Sequence, residues 1–289
     1  MPKRLLPLLF VGLLLAGCSS STSTATPSTT PSTSATPTPT PSAVQSGPVP
    51  SLDPSQPLPW MAAIVPANSN PADPVPFCSG DVIDPSWVLT AGHCTGSASG
   101  SAVTVAVVTG RRDLTDTSTG QFIKVDQSIR MPGWSSKSGA YYNDFTLLHL
   151  VTKSTTTPAP VVTPAQYKQF KDGSLVIAAG WGSLTASGQP VQTVHATELE
   201  RLADSICATE YGSLYEVGMH VCAGWKWPSM THDTCTGDSG GPLAWQVDGK
   251  YVVVATTSWG STCFTEGVPG VYSSVAHAYD WITSTISSP

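Results

Sequence analysis

The spacing of apolar positions divides the chain into three unequal parts. Lys3 and Arg4 precede an apolar run over residues 5–15. From residue 19 to about 57 serine, threonine, proline and alanine dominate, and Asp53 is the only charge. Beyond that, short runs rich in β-branched and aromatic residues recur at 61–65, 103–108, 122–129, 145–150, 175–179 and 251–257, punctuated by glycine, proline and serine. Runs of this kind predict strands, and their succession indicates an antiparallel barrel or sandwich. Near the end the period changes: Val275, Tyr279, Ile282 and Ile286 share one face of a helix predicted over 275–286. An all-β fold closed by one helix is expected.

The first run is shorter than the about 20 apolar residues a membrane span needs, and its basic start marks an export signal over residues 1–18. Residues 19–57 cannot bury enough apolar surface to offset their ordering entropy, so they predict a linker. In polyproline II form, at about 3.1 Å per residue, such a tether reaches on the order of 100 Å. Residues 58–289 then hold the folded part, large enough for two small barrels or one large domain.

The formal charge is −6, and without Lys3 and Arg4 the chain carries 11 basic against 19 acidic side chains. Such a balance excludes nucleic acid as an expected partner. Seven cysteines are present, Cys18 and six between Cys78 and Cys263. An even set in an exported domain reads as disulfides, with 15 possible pairings. No C-x-x-C or H-x-x-x-H pair occurs, so neither a metal site nor a cofactor is expected.

Chemistry concentrates in Thr234-Cys235-Thr236-Gly237-Asp238-Ser239-Gly240-Gly241-Pro242-Leu243. A nucleophilic serine needs a tight turn with backbone N–H groups facing the carbonyl it attacks, and glycines on both sides supply one. Upstream, His93 ends the run Trp87-Val88-Leu89-Thr90-Ala91-Gly92-His93-Cys94, and Asp144 opens Asn143-Asp144-Phe145-Thr146-Leu147-Leu148-His149-Leu150. In that order of His, Asp and Ser, the three stretches resemble the chymotrypsin/trypsin family of serine endopeptidases. Gly92, where the family usually has alanine, is a mild departure. His149, His195, His220, His232 and His277 lie outside any such motif.

The resemblance implies two antiparallel six-stranded β-barrels split near residue 160, a C-terminal helix outside them, and the site in the crevice between. His93 is then the base, Asp144 its orienting acid and Ser239 the nucleophile, with the N–H groups of Gly237 and Ser239 as oxyanion hole. It also implies the pairings Cys78–Cys94, Cys207–Cys222 and Cys235–Cys263. Asp233 matches the acid at the base of the specificity pocket in trypsin-like members, which favours arginine or lysine before the cut bond; the alternative is a solvated loop acid. Ser258, Trp259, Gly260 and Gly270 match the pocket walls, and Thr262 stands where glycine is common and narrows the entrance. No glutamate lies between Arg111 and Gln127, so a calcium loop of the mammalian type is not expected.

Leu15-Ala16-Gly17-Cys18 resembles the lipobox of bacterial lipoproteins, which makes Cys18 an acylated anchor on the outer face of the cell envelope; the alternative is an ordinary cleaved signal. No lysine or arginine lies between Arg4 and Arg111, so a protease specific for basic residues has no site there at which to release itself. Relatives are usually activated when cleavage frees an Ile or Val amine that pairs with the acid before the serine, here Asp238. The stretch Val44-Gln45-Ser46-Gly47-Pro48-Val49-Pro50 holds no such motif. Trimming by another protease, an internal partner for Asp238 such as Arg130 or Arg201, or low activity all follow as readings. The expected function is thus a monomeric, lipid-anchored endopeptidase acting on proteins or peptides, and the alternative is a catalytically weak module that binds or regulates at the cell surface.

Overall fold

A computed structural model describes residues 58–96, 104–225 and 233–288; the expected signal with Cys18, the expected linker and His232 lie outside them. The first eight strands are β1 (Met61–Pro66), β2 (Cys78–Asp84), β3 (Trp87–Thr90), β4 (Val105–Thr109), β5 (Gln121–Arg130), β6 (Ser135–Lys137), β7 (Ala140–Tyr142) and β8 (Thr146–Leu150). Strands β1, β2, β3, β8, β5 and β4 close into a barrel in that order, and β6 with β7 forms a separate hairpin.

The remaining six are β9 (Leu175–Gly180), β10 (His195–Arg201), β11 (His220–Gly224), β12 (Pro242–Val247), β13 (Lys250–Trp259) and β14 (Gly270–Ser274). They close into a second barrel in the order β10, β11, β14, β13, β12, β9, and every pairing in both barrels is antiparallel. Closure removes exposed sheet edges, and inward residues of each strand fill the interior. One apolar cluster runs through both barrels, from Ile64, Leu89, Val107 and Leu147 to Ile177, Leu199, Leu243 and Val253. Each such side chain contributes about 2 kcal/mol by leaving water.

Three α-helices are found among the described residues: α1 (Pro164–Tyr167), α2 (Asp204–Tyr211) and α3 (Val275–Ile286). Helix α3 packs on β13 and buries Val275, Ala278 and Ile282. The expected face shifts slightly, because Tyr279 and Ile286 are only half-buried and Ala278 takes the inner position.

The loop after β4 is tied by a cation of the chain itself. Buried Arg111 donates to the carbonyls of Pro71 at 2.8 Å, Leu114 at 3.1 Å and Thr119 at 3.0 Å. One guanidinium thus ties three carbonyls of neighbouring segments together.

Asp81 in β2 faces the opposite problem. It is fully buried between Met61 of β1 and Leu89 of β3, and neither oxygen has a hydrogen-bond partner among the described residues. Burial pushes its carboxyl well above the ordinary value, and the nearby Trp60 indole offsets this only in part. A group whose pKa is raised by folding holds its proton in the folded state. Its contribution to stability is intact at acid pH and is lost as pH rises through the folded pKa. Asp81→Asn, which has no charge to acquire, is therefore expected to raise the thermal midpoint at pH 8 by several degrees, since a buried ion costs on the order of several kcal/mol. The gain should shrink toward pH 4; an equal gain at both values would contradict a neutral Asp81.

Candidate active site

Strand register brings the first two groups together. β3 and β8 pair with Thr90 opposite Thr146, so residues just after β3 and just before β8 meet at one rim of the first barrel. His93 stands on a short 3-10 turn over Gly92–Thr95, and Asp144 lies two residues ahead of β8. His93 Nδ1 is 2.8 Å from Asp144 Oδ2, and the His93 backbone N–H donates to Oδ1 at 2.8 Å. Two further donors reach the same carboxylate: the Trp134 indole at 3.1 Å and the Ser258 hydroxyl at 2.5 Å.

Asp144 is 0% exposed. Burial alone pushes its carboxyl up, but the His93 charge and the hydrogen bonds from His93 and Ser258 outweigh it and hold Asp144 below the ordinary value. A carboxylate so held fixes Nδ1–H as donor and leaves Nε2 as the basic nitrogen. The ring is clamped from the side as well: Tyr141 stacks on His93 with centroids 4.4 Å apart, and Trp134 lies beyond it at 6.4 Å. His220 in β11 secures Tyr141 from the second barrel, its Nε2 2.9 Å from the Tyr141 carbonyl while its Nδ1 accepts from the Glu216 N–H at 3.0 Å. This pattern requires a neutral ring, and burial lowers the His220 pKa accordingly.

Ser239 sits on the turn that enters β12, and that turn is fastened across the seam. Ser79 of β2 donates its N–H to the Ser239 carbonyl at 2.8 Å and its hydroxyl to the Gly237 carbonyl at 3.0 Å. The Gly240 N–H donates to Thr257 of β13 at 2.8 Å. Among the described residues, no group accepts from the N–H of Gly237 or of Ser239, so both are available to a ligand. Gly240 adopts φ +80°, and a Cβ there would lie 2.2 Å from Thr90 Oγ1 and 2.5 Å from the Ser79 carbonyl.

Beside Ser239 opens a cavity of about 160 Å³ lined by Asp233, Ser258, Trp259, Gly260, Thr262 and Gly270 among others. Asp233 accepts from the Thr234 N–H at 2.8 Å and the Phe264 N–H at 2.7 Å. Burial dominates over these bonds and lifts its carboxyl to about 6. Thr262 is exposed at the mouth. Cys235 and Cys263, bonded to each other, join the two flanking loops; the other bridges are Cys78–Cys94 and Cys207–Cys222. The grouping of Cys78, Cys94 and His93 offers no thiolate to a metal, since both sulfurs are in a disulfide.

Asp238 corrects one expectation. Neither Arg130 nor Arg201 partners it: Arg130 lies over the Trp134 ring at 4.3 Å, and Arg201 is held by the Phe170 carbonyl, Asp172 and Asp204. Each guanidinium is taken up by those contacts instead. Asp238 instead accepts from the N–H groups of Gly182 and Cys235, each at 2.9 Å, and faces His195 at 3.7 Å. Motif reading missed His195, Trp134, Tyr141, His220 and Ser79, because each acts through a contact with a residue distant in sequence.

A double barrel of this topology, with its polar seam, is the chymotrypsin-like serine protease architecture. The chain belongs to the trypsin family, matching it over residues 51–282. Trypsin 5G1 of Aedes aegypti is 33% identical over 210 residues, covering 71% of this chain and 74% of that protein. Chymotrypsin-like elastase family member 1 of Macaca fascicularis is 34% identical over 219 residues, covering 73% and 79%. Human serine protease 56 is 30% identical over 219 residues, and there the match spans only 35% of the relative's length. Among solved structures, neuropsin, a serine protease expressed in the limbic system of mouse brain, superposes with a TM-score of 0.64 at 29% identity, covering 79% of this chain and 94% of its own.

Gly240→Ala is expected to destabilise the domain by about 3 kcal/mol, combining left-handed strain with contacts that backbone cannot relieve. Thermal unfolding measures this, and an unchanged midpoint would contradict the packing of this turn against Ser79 and Thr90.

Proposed function

We propose that the protein is an exported, monomeric serine endopeptidase that cleaves after arginine or lysine, held at the outer face of a cell envelope by an acyl group on Cys18. The observation that carries this reading is that a single cavity is lined by both Ser239 and Asp233. A side chain that fills the cavity brings its own carbonyl to the serine. A half-buried carboxylate at the cavity wall that a substrate closes off from water is stranded unless the entering group is a cation.

In this reading Ser239 Oγ attacks the scissile carbonyl while His93 Nε2 takes its proton, and Asp144 stabilises the imidazolium through Nδ1–H. The N–H groups of Gly237 and Ser239 receive the oxyanion. The intermediate collapses as His93 protonates the leaving amine. Water, activated by the same imidazole, then hydrolyses the acyl-enzyme and restores Ser239. A second reading, a catalytically weak module that binds or regulates at the cell surface, is favoured by residues 44–50, which carry no Ile-Val activation motif.

Arginine and lysine anilides separate the two. Wild type should release nitroaniline, and Ser239→Ala should be slower by about 10³-fold or more; equal slow release from both would leave only the second reading.

Specificity has its own test in pH. Below about 6 Asp233 is neutral and above it ionised. The ratio of kcat/KM for an arginine anilide to that for an apolar one, in which the shared His93 dependence cancels, should climb as pH passes through about 6 and then level off. Asp233→Ser should flatten that curve and lower the arginine rate by roughly 100-fold or more. A ratio independent of pH in wild type would refute the pocket assignment.

A further inference from the structure

Gly92, next to the base, stands where the family usually has alanine. Its backbone gives no reason for glycine, since it is not among the residues with positive φ. What the missing side chain provides is room. A Cβ at position 92 would lie 2.5 Å from Trp134 Cδ1, 2.7 Å from Trp134 Nε1 and 3.1 Å from Asp144 Oδ1. Carbon atoms in contact settle about 3.5–4.0 Å apart, so an alanine and the indole cannot both occupy this space.

Trp134 is brought there by the turn that follows β5. The Met131 N–H donates to the Phe145 carbonyl at 2.9 Å, and the Trp134 N–H to the Met131 carbonyl at 3.2 Å. Gly133 takes φ +77° in this turn, and a Cβ on it would lie 2.9 Å from Asn143 Nδ2. The turn is thus folded against residues 143–145, the segment that carries Asp144. The Arg130 guanidinium lies over the indole at 4.3 Å and holds the ring by cation–π attraction.

With the indole in place, the two oxygens of Asp144 are held alike. Oδ1 accepts from the His93 backbone N–H and from Trp134 Nε1, while Oδ2 accepts from the Ser258 hydroxyl and faces His93 Nδ1. A carboxylate held at both oxygens resists turning about its bond, which keeps Oδ2 on the imidazole. Asp144 is fully buried, so a donor lost at Oδ1 leaves that oxygen with a single partner in a dry site.

Resting on the protease reading above, we propose that Trp134 is a further positioning residue of the reaction: its indole N–H completes the donor set of Asp144, and Gly92 is the vacancy that admits it. Trp134 acts through Asp144 on His93 and touches no reacting atom. The departure at position 92 and the tryptophan at 134 are then one feature, and each is tolerated only with the other.

The full chain is assayed with an arginine anilide beside Trp134→Phe, Trp134→Ala, Gly92→Ala and the double variant Gly92→Ala/Trp134→Ala. Trp134→Phe, which keeps most of the ring and loses the N–H, should lower kcat by about tenfold with KM little changed. Gly92→Ala should lower kcat at least as far in the wild-type background. In the Trp134→Ala background it should cost less than about twofold, because no indole remains to be displaced. The same cycle read in the thermal midpoint shows the steric coupling without any turnover; if Gly92→Ala folds only when Trp134 is also replaced, that coupling is shown directly and Trp134→Phe decides the role in the reaction. Undiminished kcat in Trp134→Phe, a loss confined to KM, or an equal cost of Gly92→Ala in both backgrounds would overturn the inference and leave the protease reading standing. A wild type without turnover removes the protease reading, and this role with it.

Discussion

A carboxylate that water cannot reach must be supplied with donors by the chain around it, and the seam between the two barrels is built to do this for Asp144 and Asp238. Asp144 draws on four donors from three separate segments: the His93 turn, Trp134 and Ser258. Asp238 draws on the N–H groups of Gly182 and Cys235. Removing any supplier leaves a charge stranded in a dry region, so both barrels are committed to one relative placement. The imidazole and the alcohol are held in place by the same set of bonds.

Further polar contacts cross the seam. Ser79 alone engages Ser239, Gly237 and, through its carbonyl, Thr90 at 2.7 Å, so a residue of the first barrel sets the turn of the second. Cys78, its neighbour, is bonded to Cys94, one residue past His93. The segments that carry His93 and Ser239 are thus fastened to adjacent positions, Cys78 and Ser79, in one strand. Closed barrels suit this arrangement, because their interiors are apolar and rigid and leave the rim residues little freedom.

Asp233 contrasts with the other two. It has two backbone donors and no facing cation among the described residues, and its carboxyl is pushed up where Asp144 is held down. Two carboxylates near one serine are thus shifted in opposite directions by their surroundings.

Much of this was legible in the chain before any coordinates. The runs at 61–65, 122–129, 175–179 and 251–257 became β1, β5, β9 and β13, and the terminal helix took its expected span, because strand and helix periods are local properties of side-chain order. The glycine-rich turn around Ser239 and the runs ending at His93 and opening at Asp144 were equally plain, since each motif is continuous. Strands such as β2, with glycine and two aspartates, and β10, with Glu198, Glu200 and Arg201, escaped the pattern because barrel closure and neighbouring strands stabilise them. Only the tertiary structure decided that Asp81 is buried with no hydrogen-bond partner among the described residues, that Tyr141 covers His93, and that Asp238 faces a histidine in place of an arginine. These contacts depend on which residues lie opposite one another in a closed ladder, and a shift of one position would turn each side chain to the other face, so no local stretch of sequence contains them.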